Sequence, residues 1–324
     1  MTKRVRDFKR EQLIWKSASP ELKSKALKMT QNFVMIDGQA YDPETGENIT
    51  DRIHVEPVIS AAQREGHQVI ETLRRHEQEN GGYVFAFFYE MQELAERFPS
   101  LSQSDLARLM FIGTYVSYNE GDPSHGYLRH DNGVPINKKS LGELLQMSRN
   151  KYSDFYAKLI EENILVELPE GLAMNPTVFY RGENLDAIKG DYQYTRVFRK
   201  TVRELYSKFD GRSIKKLGVV YSVLPYVNFS FNIICDNPHQ VIDGKIQPMK
   251  LKELAERLGY KDYKHLLKTM REIKYKDQPV FKFVDDGKDR RSSYIVVNPS
   301  VIYAGNGKHL DAIKVLFDLP ISCR

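Results

Sequence analysis

Five side chains, Lys261, Lys264, His265, Lys268 and Arg271, recur at the spacing of a single helix face. Lysine and arginine donate to guanine acceptors in a major groove and to phosphate oxygens. An earlier run, Arg149-Asn150-Lys151 with Ser153, has a similar repertoire. Arginine there suits guanine, and asparagine makes paired hydrogen bonds with adenine. Lys250 and Lys252 precede the second group, and Lys288, Arg290 and Arg291 follow it in a short polar stretch. With Lys215 and Lys216 these are candidate phosphate contacts, the last three at a hairpin tip that would reach a minor groove or a flanking phosphate. The chemistry predicted is recognition of double-stranded DNA by charge and hydrogen bonding, with no bond made or broken.

Patterns for catalysis are missing from the sequence. No Gly-x-x-x-x-Gly-Lys-Ser/Thr loop occurs, and the eight histidines show neither His-x-His nor His-Glu-x-x-His spacing. His125 and His130 flank Tyr127 and Arg129, which reads as a solvated loop rather than a catalytic cluster. No enzyme activity, cofactor or metal is expected.

The elements that must position the donors follow from apolar spacing and caps. In the first copy of a repeated pattern, Phe85 to Phe98 has helical spacing, and Leu106 to Ser117 reads as a buried helix capped by the hydroxyls of Ser102 and Ser104. After a polar loop, Asn137 opens a short helix, Lys138 to Leu145. Gln146-Met147-Ser148 turns the chain into a second helix, Arg149 to Glu162, with Ser148 as its cap and Tyr152, Phe155, Tyr156, Leu159 and Ile160 inward. Ile164 to Leu168 and Ala173 to Tyr180 read as the two strands of a hairpin. In the second copy the leading helices are Arg199 to Phe209 and Ser213 to Val227. The paired helices are Met249 to Leu258 and Asp262 to Tyr275, with Tyr263, Leu266, Leu267 and Met270 inward. The strands are Val280 to Val284 and Ser293 to Val297. Gly259 suits the left-handed turn that ends such a helix. The expected fold is mainly α with small β-hairpins (α+β), arranged as tandem winged helix-turn-helix domains.

The repetition is explicit. Met174-Asn-Pro-Thr-Val-Phe-Tyr-Arg-Gly182 is echoed by Val297-Asn-Pro-Ser-Val-Ile-Tyr-Ala-Gly305, and Leu185-Asp-Ala-Ile-Lys189 by Leu310-Asp-Ala-Ile-Lys314. Leu141-Gly-Glu-Leu-Leu145 matches Leu251-Lys-Glu-Leu-Ala255, and two earlier matches pair Glu93-Leu94 with Glu204-Leu205 and Tyr115-Val116 with Tyr226-Val227. The offsets are 111, 111 and 110 residues, rising to 123 at the Asn-Pro motif, so the second copy holds extra residues before it. The Asn-Pro pairs read as structural, at a strand end or bulge. Three regions result: 1–82, a basic arm, hairpin and connecting helix; 83–191; and 192–324.

Charge is unevenly spread. Net charge is +6 over residues 1–28, −12 over 29–194, +10 over 195–291 and +1 over 292–324. The block from Thr195 to Arg291 is where a polyanion partner is expected. A chain that is 41% apolar and 28% charged is not a disordered one. Its longest apolar stretch, Tyr83 to Tyr89, is far below the ~18–20 residues of a membrane helix. The start, MTKRVRDFKR, lacks the apolar core of a secretory signal, and the two cysteines, Cys235 and Cys323, fit a reducing compartment. A cytoplasmic protein with no membrane partner is expected. In the first region, Trp15 lies in a basic, partly helical stretch. Phe33 to Glu47 reads as short strands and a turn, and Val58 to Asn80 as a long amphipathic helix that connects to the repeat or pairs with a second copy as a homodimer.

The run Asn175 to Gly182 after such a helix pair resembles Firmicute plasmid replication proteins of the RepL type, over roughly residues 137–182. The second copy departs from that motif, with Ala304 in place of the arginine, and the single-module proteins of that type lack the duplication. Two such modules in one chain also look like iteron-binding plasmid initiators, in architecture only. The resemblance implies DNA binding in a phage- or plasmid-borne setting, either to open an origin or to regulate a promoter. The other expectation is that the modules dock replication or transcription proteins, which the acidic first copy favours.

Overall fold

A computed structural model of the protein describes residues 13, 15–29, 34–37, 39–41, 43, 46–48, 60–119, 126–209, 213–286 and 289–318; the side chains at 25–29, 35, 40, 61, 285–286 and 289–293 lie outside that description. The fold is α+β, and the chain divides into two compact units, residues 1–67 and 68–324. In the first unit are α1 (Pro20–Met29) and the antiparallel hairpin β1 (Val34–Ile36) and β2 (Gln39–Tyr41), extended by a bridge from Tyr41 to Asn48. Residues 1–12 of the basic arm lie outside the described residues. Helix α2 (Ala61–Glu79) occupies the stretch predicted to be helical and contains the division between the units.

The second unit is organised by a four-stranded antiparallel sheet. Tyr83–Phe88 is a strand, β3, and only Leu94–Arg97 is helical (α3). This corrects the expected helix over 85–98. The run Tyr-Val-Phe-Ala-Phe-Phe is apolar on both faces, and a short run buried on both sides carries no period that separates strand from helix. The partner of β3 is β8 (Gln193–Phe198), the start of the second copy. The outer strands are β7 (Phe179–Tyr180) beside β3 and β13 (Ile302–Tyr303) beside β8. Both come from the Asn-Pro motifs. The expected single strand Ala173 to Tyr180 is therefore two, because Gly171–Met174 belongs to a different sheet.

The register of this sheet has a local two-fold. Phe85 pairs with Arg196, which is its own equivalent at the repeat offset of 111. On their outer sides Phe85 pairs with Tyr180 and Arg196 with Tyr303, the equivalent tyrosines of the two motifs. One row of residues thus runs Tyr180, Phe85, Arg196, Tyr303 across the sheet, and the two copies are joined at its centre.

Each copy then repeats one element order. In the first copy, α4 (Gln103–Gly113) is followed by β4 (Gly126–Tyr127), α5 (Lys138–Leu145), α6 (Arg149–Glu161) and the hairpin β5 (Leu165–Leu168) and β6 (Gly171–Met174). Strand β6 sits between β4 and β5. In the second copy, α7 (Arg199–Lys208) and α8 (Lys215–Ser222) precede α9 (Leu251–Arg257), α10 (Tyr263–Glu272) and the hairpin β11 (Phe281–Asp286) and β12 (Asp289–Val297). The bridge from Val116 to Leu128 recurs as that from Val227 to Ile234. The second copy also inserts a small hairpin, β9 (Lys274–Tyr275) and β10 (Gln278–Pro279), turned by Lys276 and Asp277 at positive φ. This accounts for part of the longer offset. The chain ends its described part in α11 (Leu310–Asp318).

Local chemistry explains these boundaries. Ser102 and Asp105 form a reciprocal capping box at α4, and Asn137 and Ser140 form another at α5. Gln146 and Gly259 take left-handed conformations at the ends of α5 and α9. Asp262 caps α10 by accepting from the Lys264 N–H. Ser148 stands at the cap position of α6 but makes no side-chain cap bond, contrary to expectation. The Asn-Pro asparagines do the same work in both copies. Asn175 donates to the Asn163 carbonyl and accepts from Thr177, while Asn298 donates to the Pro279 carbonyl and accepts from the Ser300 N–H. Each turns the chain out of its hairpin and into an edge strand. One apolar core runs through both copies, with α4 packed along α8 inside it.

Candidate nucleic-acid interface

Helix α10 buries Leu266, Thr269 and Met270 and leaves Lys264, His265, Lys268 and Arg271 exposed, with Lys261 exposed just before its cap. The one carboxylate within the helix, Glu272, is held by Lys216 at 2.6 Å, and that bond keeps its carboxyl below the usual carboxylate range. The Arg271 guanidinium lies 5.6 Å from the Phe283 ring on β11, and the His265 ring 5.5 Å from that of Tyr260. Tyr263 is the exception to the predicted inner face. It is 42% exposed, because it is the first residue of the helix and extends past the core that covers Leu266 and Met270.

Lys250 and Lys252 are exposed at the start of α9. Lys252 approaches Glu256 at 4.0 Å, with both side chains largely in solvent, which contributes little. Lys215 is exposed, while Lys216 is committed to Glu272. Lys288 lies outside the described residues. Arg290 and Arg291 fall on β12, but their side chains lie outside the description.

On α6, Arg149, Asn150, Lys151 and Ser153 are all exposed in its first two turns, as the spacing predicts. The rest of that outer face is mixed, with Asp154, Ala157, Ile160 and Glu161 exposed. Ile160, expected inward, is 37% exposed. Tyr152 and Tyr156 are core-facing; their hydroxyls donate to the Lys138 carbonyl and to Glu167. Burial, with the Glu167 carboxylate beside it, pushes the Tyr156 phenol well above its ordinary value.

A second cationic group went unseen in the sequence. Arg199 and Arg203, one turn apart on α7, both donate to Asp131 and to Thr114 of the first copy, at 2.6–2.9 Å. The Arg203 guanidinium lies 3.7 Å from the Tyr115 ring centre. Burial, together with Arg181 and Arg203 nearby, lowers Arg199 to about 10. Asp131 lies in a loop, 68 and 72 residues from its partners, and no local pattern marks it. The signal available was the pair of arginines at i, i+4 on one helix face. This group clamps the start of the second copy onto the first.

No helix among the described residues is long and apolar enough to cross a membrane, and no group of metal-ligating side chains occurs among them. Comparison with protein-family models, curated proteins and solved structures finds no match to this chain.

Proposed function

We propose that this chain binds double-stranded DNA site-specifically through tandem winged helix-turn-helix domains, and acts in transcription regulation or replication initiation for a phage or plasmid. The element order supports the domain reading. Helix, strand, helix, tight turn, helix and hairpin are the parts of a winged helix, in which the second helix of the pair enters the major groove. The observation that carries the function is the outer face of α10, where Lys264, His265, Lys268 and Arg271 stand exposed and the neighbouring carboxylate is neutralised by Lys216. Two such modules on one chain raise avidity without dimerisation.

The test is selection of bound fragments from the host element's genome, followed by titration of the selected duplex at several salt concentrations. Binding should weaken steeply with salt, since phosphate contacts release counterions. Replacing Lys264, Lys268 and Arg271 by glutamate should cost at least ~10-fold in affinity with the fold intact. Salt-independent binding, or binding unchanged in that variant, overturns the reading. Fragments from an origin or from promoters decide the process. A second reading, docking of a replication or transcription protein, is favoured by the exposed Ile160 and Val166 on the first copy. It predicts loss of a protein partner, with DNA retention unchanged, when those two are made polar.

A further inference from the structure

A cavity of about 800 Å³ in the second unit opens between the helix pair of the first copy and the leading helices of the second. Its walls come from α4, from the turn between α5 and α6, and from α7 and the start of α8. Four cations line it, Arg108, Lys151, Arg203 and Lys215, and no carboxylate does among the described residues. Arg108 and Arg203 are held in place by Asp105 and Asp131. Lys151 and Lys215 have no ion-pair or hydrogen-bond partner among the described residues. Helices α6 and α8 both begin at this cavity, and neither Ser148 nor Ile214 spends a side chain on capping the amides there. The other wall is aromatic: the Tyr206 ring stacks on Phe111 at 3.8 Å, nearly parallel, and Phe209 lies beside it.

The local two-fold gives this cavity a counterpart, and the counterpart is bridged by hydrogen bonds. There Tyr260, after the left-handed end of α9, exchanges hydrogen bonds with Gln103 at the start of α4. In the cavity the same two positions are Met147 and Ile214, which make no such bond. One gap between helix pair and leading helix is bridged by a tyrosine and a glutamine; the other lacks that bridge and is lined with positive charge.

We infer that this cleft binds a nucleotide, its phosphates between Lys151 and Lys215 and its base against the Tyr206 and Phe209 wall. A cavity of this size suits a small-molecule ligand, and stacking plus charge is the usual means of holding a nucleotide without base specificity. The nucleotide is either free or the terminal unit of a DNA strand. The inference stands independently of duplex recognition by α10.

The test uses the full chain and two probes: a fluorescent N-methylanthraniloyl ATP, and a 5′-phosphorylated tetrathymidylate labelled at its 3′ end. Saturable binding of one or both is expected; the tighter probe identifies the source. Lys151→Glu with Lys215→Glu should weaken binding at least tenfold. A second variant, Met147→Tyr with Ile214→Gln, copies the bridged side without changing charge and should also abolish binding. Both are checked for an unchanged thermal unfolding profile. Binding of neither probe at millimolar concentration overturns the inference, as does binding that survives both variants. Inorganic phosphate competing as well as ATP also overturns it, because the aromatic wall would then contribute nothing.

Discussion

Asp105 and Lys216 occupy the same position in the two copies and carry opposite charge. Each stands near the start of its copy's leading helix, and each pairs with the far end of the helix whose N-terminus bears the candidate base contacts: Asp105 with Lys158 at 3.2 Å, Lys216 with Glu272 at 2.6 Å. The duplication has kept the strut and reversed its polarity. The reversal has a consequence for the outer surface. In the second copy the strut takes a carboxylate off the face that carries Lys268 and Arg271, whereas in the first it takes a lysine.

The two struts should differ in strength. The Asp105 side chain is 9% exposed, closes the Ser102 capping box and also binds Arg108. Burial alone would raise its carboxyl, but the bonds from Ser102 and Lys158 outweigh that and hold it below the usual range. Asp105→Asn should therefore cost roughly 3 kcal/mol, as for breaking a buried pair. Lys216 and Glu272 are over a third exposed, so Glu272→Gln should change stability by less than ~1 kcal/mol. Urea unfolding of the two variants measures the difference; equal losses would show that burial does not set the strength of these pairs.

His76 gives the second unit a defined acid sensitivity. The ring is fully buried, its Nε2 bonds the Pro299 carbonyl and its Nδ1 faces the Asn80 amide. Burial lowers its pKa from the ordinary 6.5 to about 4. Above pH 6.5 the imidazole is neutral in both folded and unfolded chains, and its full contribution is present. Between 6.5 and 4 only the unfolded chain takes up the proton, so stability falls as pH falls, by roughly 1.4 kcal/mol per unit at most. Below 4 that loss is complete. His76→Gln should flatten the thermal stability profile between pH 6.5 and 4; an unchanged slope there would assign the acid sensitivity to other groups.

What could be read from the sequence was what is local. The helix start at Asn137, the left-handed Gly259 and the buried Leu266 and Met270 are all set by neighbours within a turn or two, and the outward lysines of α10 follow from the same spacing. The strand β3 was not legible, because Tyr83 to Phe88 is covered on both faces and the run has no polar side to mark its period. Nor were the contacts between copies. Gln103 with Tyr260 and Arg203 with Asp131 are chosen by the two-fold, which brings together residues that no helix or hairpin pattern relates. The cleft belongs to that second class: of its cations Lys151 and Lys215 were singled out from the sequence, but as separate DNA contacts and not as two walls of one cavity.

The two-fold also constrains the proposed DNA site. The helices α6 and α10 are equivalent elements of copies joined head to head through the Phe85 and Arg196 pair. If both enter one duplex, their contacts are related by that axis. The protected site should therefore hold two half-sites in inverted orientation, dissimilar in sequence because Arg149, Asn150 and Lys151 differ from Lys261, Lys264 and His265. Hydroxyl-radical footprinting of the selected duplex would show this as two protected patches. Reversal of Lys264 and Lys268 should erase one patch and weaken the other. A single patch, or two in direct repeat, contradicts simultaneous engagement of both copies.

Gly218 on α8 is a point of close backbone approach between the two copies. A methyl group added there would stand 2.0 Å from the Gln103 carbonyl oxygen, which is backbone and cannot swing aside. The equivalent position in the first copy is Ala107, which is fully buried without such a clash, so the two sides of the α4 and α8 contact are not interchangeable. Gly218→Ala should cost ~1–3 kcal/mol despite the higher helix propensity of alanine. It should also lengthen the Gln103 and Tyr260 contact, because relief requires the start of α4 to move away from α8. Ala107→Gly should cost roughly 1.5–2 kcal/mol, from propensity and one lost methyl, and should leave the Gln103 and Tyr260 contact unchanged. Thermal unfolding of the pair checks the asymmetry. A Gly218→Ala variant as stable as the parent would mean that the helices slide past each other freely and that the two copies are not rigidly joined.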